Sequence, residues 1–257
     1  QDATGLLLHG AKGEAAVNHY SFYAAFATDE EYRLLAGTRV LGSMPVNELV
    51  TVGQLLIFGG RTWKVEDIDE ERKTISVTPS RIGKPPLFGG GSGRVHTRVR
   101  ERMHALLSGS EDIPFLDVNA RRFLAEGRKE YAAMGLETAQ LLDRGKEMLL
   151  LTWLGDSENL ALACWLGTHG YQAWSHSLGV EIVKDSRPVS EVFTVLRTMT
   201  AEAPPDAETL LAAAKNLASE KWDWALPEAL LKRSYASLRL NVAGAAEWLN
   251  RFNGPTS

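Results

Sequence analysis

Gly59-Gly60-Arg61-Thr62-Trp63-Lys64-Val65-Glu66-Asp67-Ile68, joined by a charged turn to Thr74-Ile75-Ser76-Val77-Thr78-Pro79, carries the clearest structural signal in this 257-residue chain. Both runs alternate with period two. Trp63, Val65 and Asp67 fall on one side and Thr62, Lys64, Glu66 and Ile68 on the other, while Ile75 and Val77 share a face, as half-buried strands require. Residues 69–72 supply the turn, and Pro79 ends the second strand because proline has no N–H to give to a ladder.

Upstream, residues 54–58 predict a further strand and residues 31–46 two more, broken at Gly37. Short strands with glycine at their corners predict a small, strongly bent antiparallel barrel of the OB or SH3-like kind over residues 1–94. Downstream, residues 95–257 read as a mixed α/β and helical part, so the fold class is α+β. Residues 95–107 set Val95, Val99, Met103 and Leu106 at helical spacing with the arginines outward, and residues 119–134 align Phe123, Gly127 and Tyr131. Residues 147–154, ending Leu149-Leu150-Leu151-Thr152-Trp153-Leu154, predict a buried strand, 157–168 a helix, and 171–175 and 180–184 two more strands. Three helices close the chain, near 189–199, 207–218 and 227–252, the last broken around Leu240.

A hydrophobic content of 44% is enough for a packed core, and no apolar run approaches the roughly 20 residues that span a bilayer. With no secretory layout at the N-terminus and Cys164 the single cysteine, the expected location is the cytoplasm, with no disulfide and no multi-cysteine metal site. The sequence opens at Gln1 without Met, which suggests a piece of something longer. The formal net charge of −4 excludes a protein that grips nucleic acid by bulk charge, but the distribution is uneven. Arg81, Lys84, Arg94, Arg98, Arg100 and Arg102 face one acid, Glu101, within residues 81–104, whereas residues 136–257 carry 11 basic and 15 acidic side chains. A strand-borne Trp63 between Arg61 and Lys64, a glycine loop at 89–93 and this arginine cluster are the chemistry of a groove for unpaired nucleic acid: a ring for a base, cations for phosphates.

Taken in order, Gly59-Gly60-Arg61-Thr62-Trp63-Lys64-Val65, Ile68, Val77-Thr78-Pro79, Gly83-Lys84-Pro85-Pro86-Leu87-Phe88-Gly89 and Arg94 to Glu101 resemble the region beyond the ATPase core of large helicase-related (Lhr-type) DEAD/DEAH-box helicases. The resemblance is carried by residues 30–130 and fades after 185. It implies a β-barrel and helical part that follows two motor domains and a winged helix, and that helps hold one strand of DNA or of a DNA/RNA hybrid while the motor turns over ATP. The chain itself has no Gly-x-x-x-x-Gly-Lys-Ser/Thr loop and no Asp-Glu-Ala-Asp or Asp-Glu-x-His box, so ATP and magnesium are expected only in the motor domains and no cofactor here.

Two other classes remain open. A protein-interaction module would dock a partner, or the parent's own motor, through Trp222 or Trp248 in the helical tail. A nucleic-acid hydrolase or glycosylase would need convergent Asp, Glu or His, and the sequence offers no such set. His96 and His104, eight apart, lack a third ligand at metal spacing, and His19 beside Ser21 reads as part of an aromatic packing segment. Trp153, Trp165 and Trp174 read as packing for the central sheet.

Overall fold

The computed structural model describes residues 4–6, 8–23, 31–46, 50–80, 94–184 and 187–252. A short helix, α1 (Ala11–Asn18), and a single 3-10 turn (Tyr20–Tyr23) lead into five strands: β1 (Glu31–Ala36), β2 (Arg39–Pro45), β3 (Leu55–Phe58), β4 (Arg61–Asp69) and β5 (Thr74–Pro79). Local chemistry sets the hairpins. Gly59 and Gly60, with φ of +58° and +72°, make the two-residue turn between Phe58 and Arg61, where positive φ at both positions matches the twist of the flanking strands.

The sheet runs β2-β1-β5-β4-β3. The expectation of an all-antiparallel barrel needs correction at its centre: the β3–β4–β5 meander returns to β1 through its last strand, and β5 pairs with β1 in parallel, Arg33 opposite Thr74. The sheet curls into a half-barrel, and its two edges meet where the Phe58 ring lies on Gly42, so close that a Cβ there would sit 2.6 Å from Cζ. Strict alternation also fails once. In β4, Val65 pairs with Val77 and Asp67 with Ser76, leaving Glu66 as an extra residue, and this bulge resets the phase so that Ile68 joins Trp63 and Val65 inside while Asp67 points to solvent. The half-barrel core is Tyr32, Leu34, Val50, Leu56, Trp63, Val65, Ile68, Ile75 and Val77.

The rest of the chain builds a three-layer sandwich. Helices α2 (Thr97–Ser108) and α3 (Val118–Ala133) cover one face of a second, antiparallel sheet made of β6 (Leu141–Asp143), β7 (Glu147–Leu151), β8 (Ala173–His176) and β9 (Gly179–Val183), in the order β6-β7-β9-β8. Helices α4 (Asp156–Thr168), α5 (Val189–Ala201), α6 (Ala207–Leu210), α7 (Glu228–Arg239) and α8 (Val242–Arg251) lie toward the other. Strand β7 is buried on both faces: Met148 and Leu150 join Trp165, Ile182 and Leu196, whereas Leu149 and Leu151 meet Tyr131 and Trp153. That two-sided burial is why its sequence is continuously apolar, with each leucine contributing about 2 kcal/mol.

Helix α2 is rotated from its expected setting. Its inward stripe is Thr97, Arg100, His104 and Leu107, while Val99 is 53% exposed and Met103 also faces solvent. In α3, likewise, Leu124, Gly127 and Tyr131 turn inward and Phe123 is 61% exposed. The helix expected over 207–218 shrinks to α6, and the expected break near Leu240 separates α7 from α8.

Polar contacts join the half-barrel to the sandwich. The Val50 amide donates to Asn216 Oδ1 at 2.9 Å, the Trp174 indole N–H to Thr51 Oγ1 at 2.9 Å, and Lys215 Nζ to the Ile68 carbonyl at 3.3 Å.

Candidate nucleic-acid interface

The structure separates the sequence-predicted residues into three places. Trp63 lies in the half-barrel core, 7% exposed, and its indole N–H donates to the Phe58 carbonyl at 3.0 Å. Its assignment as a stacking platform is therefore corrected: both the ring and its one polar atom are used by the fold. Arg61 and Lys64 are both exposed, Lys64 on the face of β4 opposite Trp63 and 3.9 Å from Glu66, and neither lines the cleft that holds Arg94 and Arg100. Arg81, Lys84 and the glycine loop at 89–93 lie outside the described residues.

The arginines of α2 do not act as one cluster. Arg102 is paired with Glu111 through both carboxylate oxygens at 3.0 and 3.1 Å. Arg98 is exposed and makes no ion pair among the described residues. Arg100 points inward, and its Nη2 lies 3.2 Å from Asp156 Oδ1 at the first turn of α4. Arg94 bridges the same corner: its guanidinium donates to the Leu238 carbonyl in the last turn of α7 and to Ser157 Oγ at 3.4 Å. Neither partner is a carboxylate, so the Arg94 charge is met there only by the partial negative end of α7.

Arg94 and Arg100 meet in a cleft of about 550 Å³ between the half-barrel and the sandwich. Its walls are the loop with Thr51 and Gln54, the edge strand β8 with Trp174 and His176, and Arg239 on α7. Three guanidinium groups face a single carboxylate, Asp156, among the lining residues. Arg100 is neutralised by Asp156 and keeps a buried Nε without a partner. Among the described residues Arg239 pairs with Glu220 at 3.7 Å, an exposed carboxylate. The positive character of the cleft thus rests first on Arg94 and, through a long and solvent-screened pair, on Arg239.

His176 adds a donor. Its Nδ1 accepts the Leu178 amide at 3.2 Å, so the ring proton sits on Nε2. Burial, then the charges of Arg144 and Arg100, hold its pKa below the ordinary histidine value, keeping it neutral at pH 7. Cys164 also lines the cleft, but burial pushes its thiol up to about 12 and leaves it inert as a nucleophile.

Among the described residues no three His, Cys, Asp or Glu gather as a metal centre would require. His104 is committed to Tyr131, whose hydroxyl lies 2.8 Å from its Nε2, and packs on Trp153 at 4.6 Å between ring centroids. No described helix is long and apolar enough to cross a membrane. What the arrangement can do is bind an anion beside a half-buried indole.

Sequence reasoning missed Arg239, Trp174 and His176 as members of the site. They lie over 70 residues beyond Arg94 and Arg100 and reach them only through the crossing of α4, β8 and α7, which no local pattern announces. Compared with protein-family models, curated proteins and solved structures, the chain matches none.

Proposed function

We propose that the chain is an accessory nucleic-acid-binding part of an ATP-dependent Lhr-type helicase, whose cleft holds single-stranded DNA or one strand of a DNA/RNA hybrid. The observation that carries this reading is the gathering of Arg94, Arg100 and Arg239 on a cleft whose lining holds one carboxylate, Asp156, with Glu220 reaching Arg239 from outside it, in a chain of formal net charge −4. Guanidinium groups suit phosphate because their planar fork offers paired donors, and Trp174 and the His176 Nε2–H give a base something to pack on and bond to. The half-barrel, read as an OB- or SH3-like platform, forms the opposite rim. ATP and magnesium belong to the motor domains, which with the winged helix are the partners this reading implies, in the cytoplasm.

The test is single-stranded DNA binding by the purified chain across a salt series. Binding weakens as salt rises, and Arg94→Ala and Arg239→Ala each lower the salt slope by about 0.7, the loss of roughly one phosphate contact. Equal slopes for the wild type and both variants would overturn the cleft as the binding site.

A second reading has its own observation. Val99, Phe115, Val118 and Phe123, on α2, α3 and the loop between them, are all more than half exposed, with Phe115 at 85%. Exposed apolar side chains on neighbouring elements suit a docking face for the parent's motor domains. Phe115→Ser with Phe123→Ser would then weaken association with a motor fragment and leave DNA binding intact.

A further inference from the structure

Two tryptophans that the cleft does not use stand outside the core in an arrangement that inverts ordinary burial. In Trp222-Asp223-Trp224 the aspartate is the buried residue, 6% exposed, and the indoles are 42% and 57% exposed. The cause is local: one Asp223 carboxylate oxygen accepts the amides of Ser219 and Glu220, each at 2.8 Å, which turns the carboxylate inward and both rings outward. The Tyr20–Tyr23 turn completes the surface. Phe22 packs on Trp222 at 5.0 Å between centroids, Tyr23 packs edge-on against Phe22 at 5.2 Å and is itself 80% exposed, and Trp224 lies 6.5 Å from Trp222. Lys221 ties the two turns together, donating to the Phe22 carbonyl at 3.0 Å with its ammonium 4.6 Å from the centre of the Trp222 ring. Four rings and a cation are thus held as a ledge by backbone contacts.

We infer that this ledge is a second binding surface for the same single strand, on which bases stack after leaving the cleft; the inference rests on the proposed cleft reading. Continuity supports it. Glu220, the residue before Lys221, reaches Arg239 of the cleft at 3.7 Å, so ledge and cleft adjoin through one ion pair. Size supports it as well: a cleft of about 550 Å³ is that of a small-ligand site, and a polynucleotide entering it must continue across the surface. Exposed indole faces stack on any base, while the lysine beside them keeps the ledge attractive to a phosphate backbone.

The experiment compares two labelled oligothymidylates, of about 4 and about 16 nucleotides, binding to the purified chain, with a third of the longer length bearing abasic sites at its centre. Trp224→Ala and Tyr23→Ala, both exposed and checked for an unchanged melting curve, are expected to weaken the longer strand about tenfold and leave the short strand and the salt slope unaltered. The abasic strand should bind all three proteins alike. If both variants bind the longer strand as the wild type does while Arg94→Ala weakens it, the ledge is overturned and the cleft stands. If Arg94→Ala changes nothing while Trp224→Ala weakens the longer strand, the cleft reading fails and the ledge holds alone. Unchanged DNA binding by the ring variants with lost association to a motor fragment would overturn the ledge in favour of protein docking.

Discussion

Arg100 and Asp156 lie 3.2 Å apart where α2 crosses the first turn of α4, and the second carboxylate oxygen of Asp156 accepts the Val95 amide at 2.7 Å. One acidic side chain thus fixes both the arginine that lines the cleft and the segment that carries Arg94 into it. The Arg100 side chain is 10% exposed, so the pair is shielded enough for its loss to be felt.

Asp156→Ala is expected to lower the unfolding free energy by about 2–4 kcal/mol, because it strands a buried guanidinium and an amide together. In a cycle of wild type, Arg100→Leu, Asp156→Leu and the double variant, the double should cost less than the sum of its two singles, since no unpaired charge remains. Urea denaturation of the four proteins gives the cycle. Strict additivity would mean that the pair is not coupled.

Trp63 serves the half-barrel core. Trp63→Ala should destabilise by about 3–5 kcal/mol, and Trp63→Phe, which keeps most of the packing but loses the bond to Phe58, by about 1 kcal/mol. In the folded Trp63→Phe variant, affinity for single-stranded DNA should equal that of the wild type. A drop there would return Trp63 to the binding surface.

The approach of Phe58 to Gly42 closes the curl of the first sheet. Gly42→Ala is expected to destabilise by about 1–3 kcal/mol through overpacking against the ring, and Phe58→Leu in the same protein should recover part of it. Thermal melts of the single and double variants provide the comparison; no recovery would place the strain elsewhere.

Glu181 on β9 makes stability depend on pH. Burial first, and then the neighbouring Glu147 charge, raise its carboxyl from 4.5 to about 7. The fold therefore favours the protonated form. Its stabilising contribution is complete below pH 4.5 and is lost as pH rises through 7, because the unfolded chain ionises first. His104 and His176, both lowered from 6.5 by burial, act in the opposite sense, adding stability as pH rises through 6.5. The difference between wild type and Glu181→Gln isolates the carboxyl: urea midpoints at about pH 5 and pH 8 should show the wild type losing more stability on going to pH 8. Parallel curves would contradict the assignment.

The sequence was most legible where a signal is local. Gly59-Gly60 announced the hairpin of β3 and β4, continuous apolar residues announced β7, and the break at Leu240 separated two helices. It was least legible where one residue changes a phase. The extra Glu66 in β4 moved Ile68 inward and Asp67 outward, which alternation alone reads the other way. Helix α2 was misjudged because its apolar stripe looked like the buried one, whereas Asp156 at the N-terminus of α4 draws Arg100 inside and turns Val99 to solvent. The cleft is legible only in part: Arg94 and Arg100 stand in the basic cluster, but Arg239, Trp174 and His176 arrive through tertiary crossings.

Photo-crosslinking of an oligonucleotide carrying 5-bromodeoxyuridine, followed by mapping of the attached peptides, locates the strand directly. The account predicts attachment within residues 172–177 on and beside β8, with Trp174 and His176 the modified side chains, and loss of that attachment in Arg94→Ala. Attachment confined to the exposed side of β4, around Arg61 and Lys64, with residues 172–177 unmodified, would contradict it.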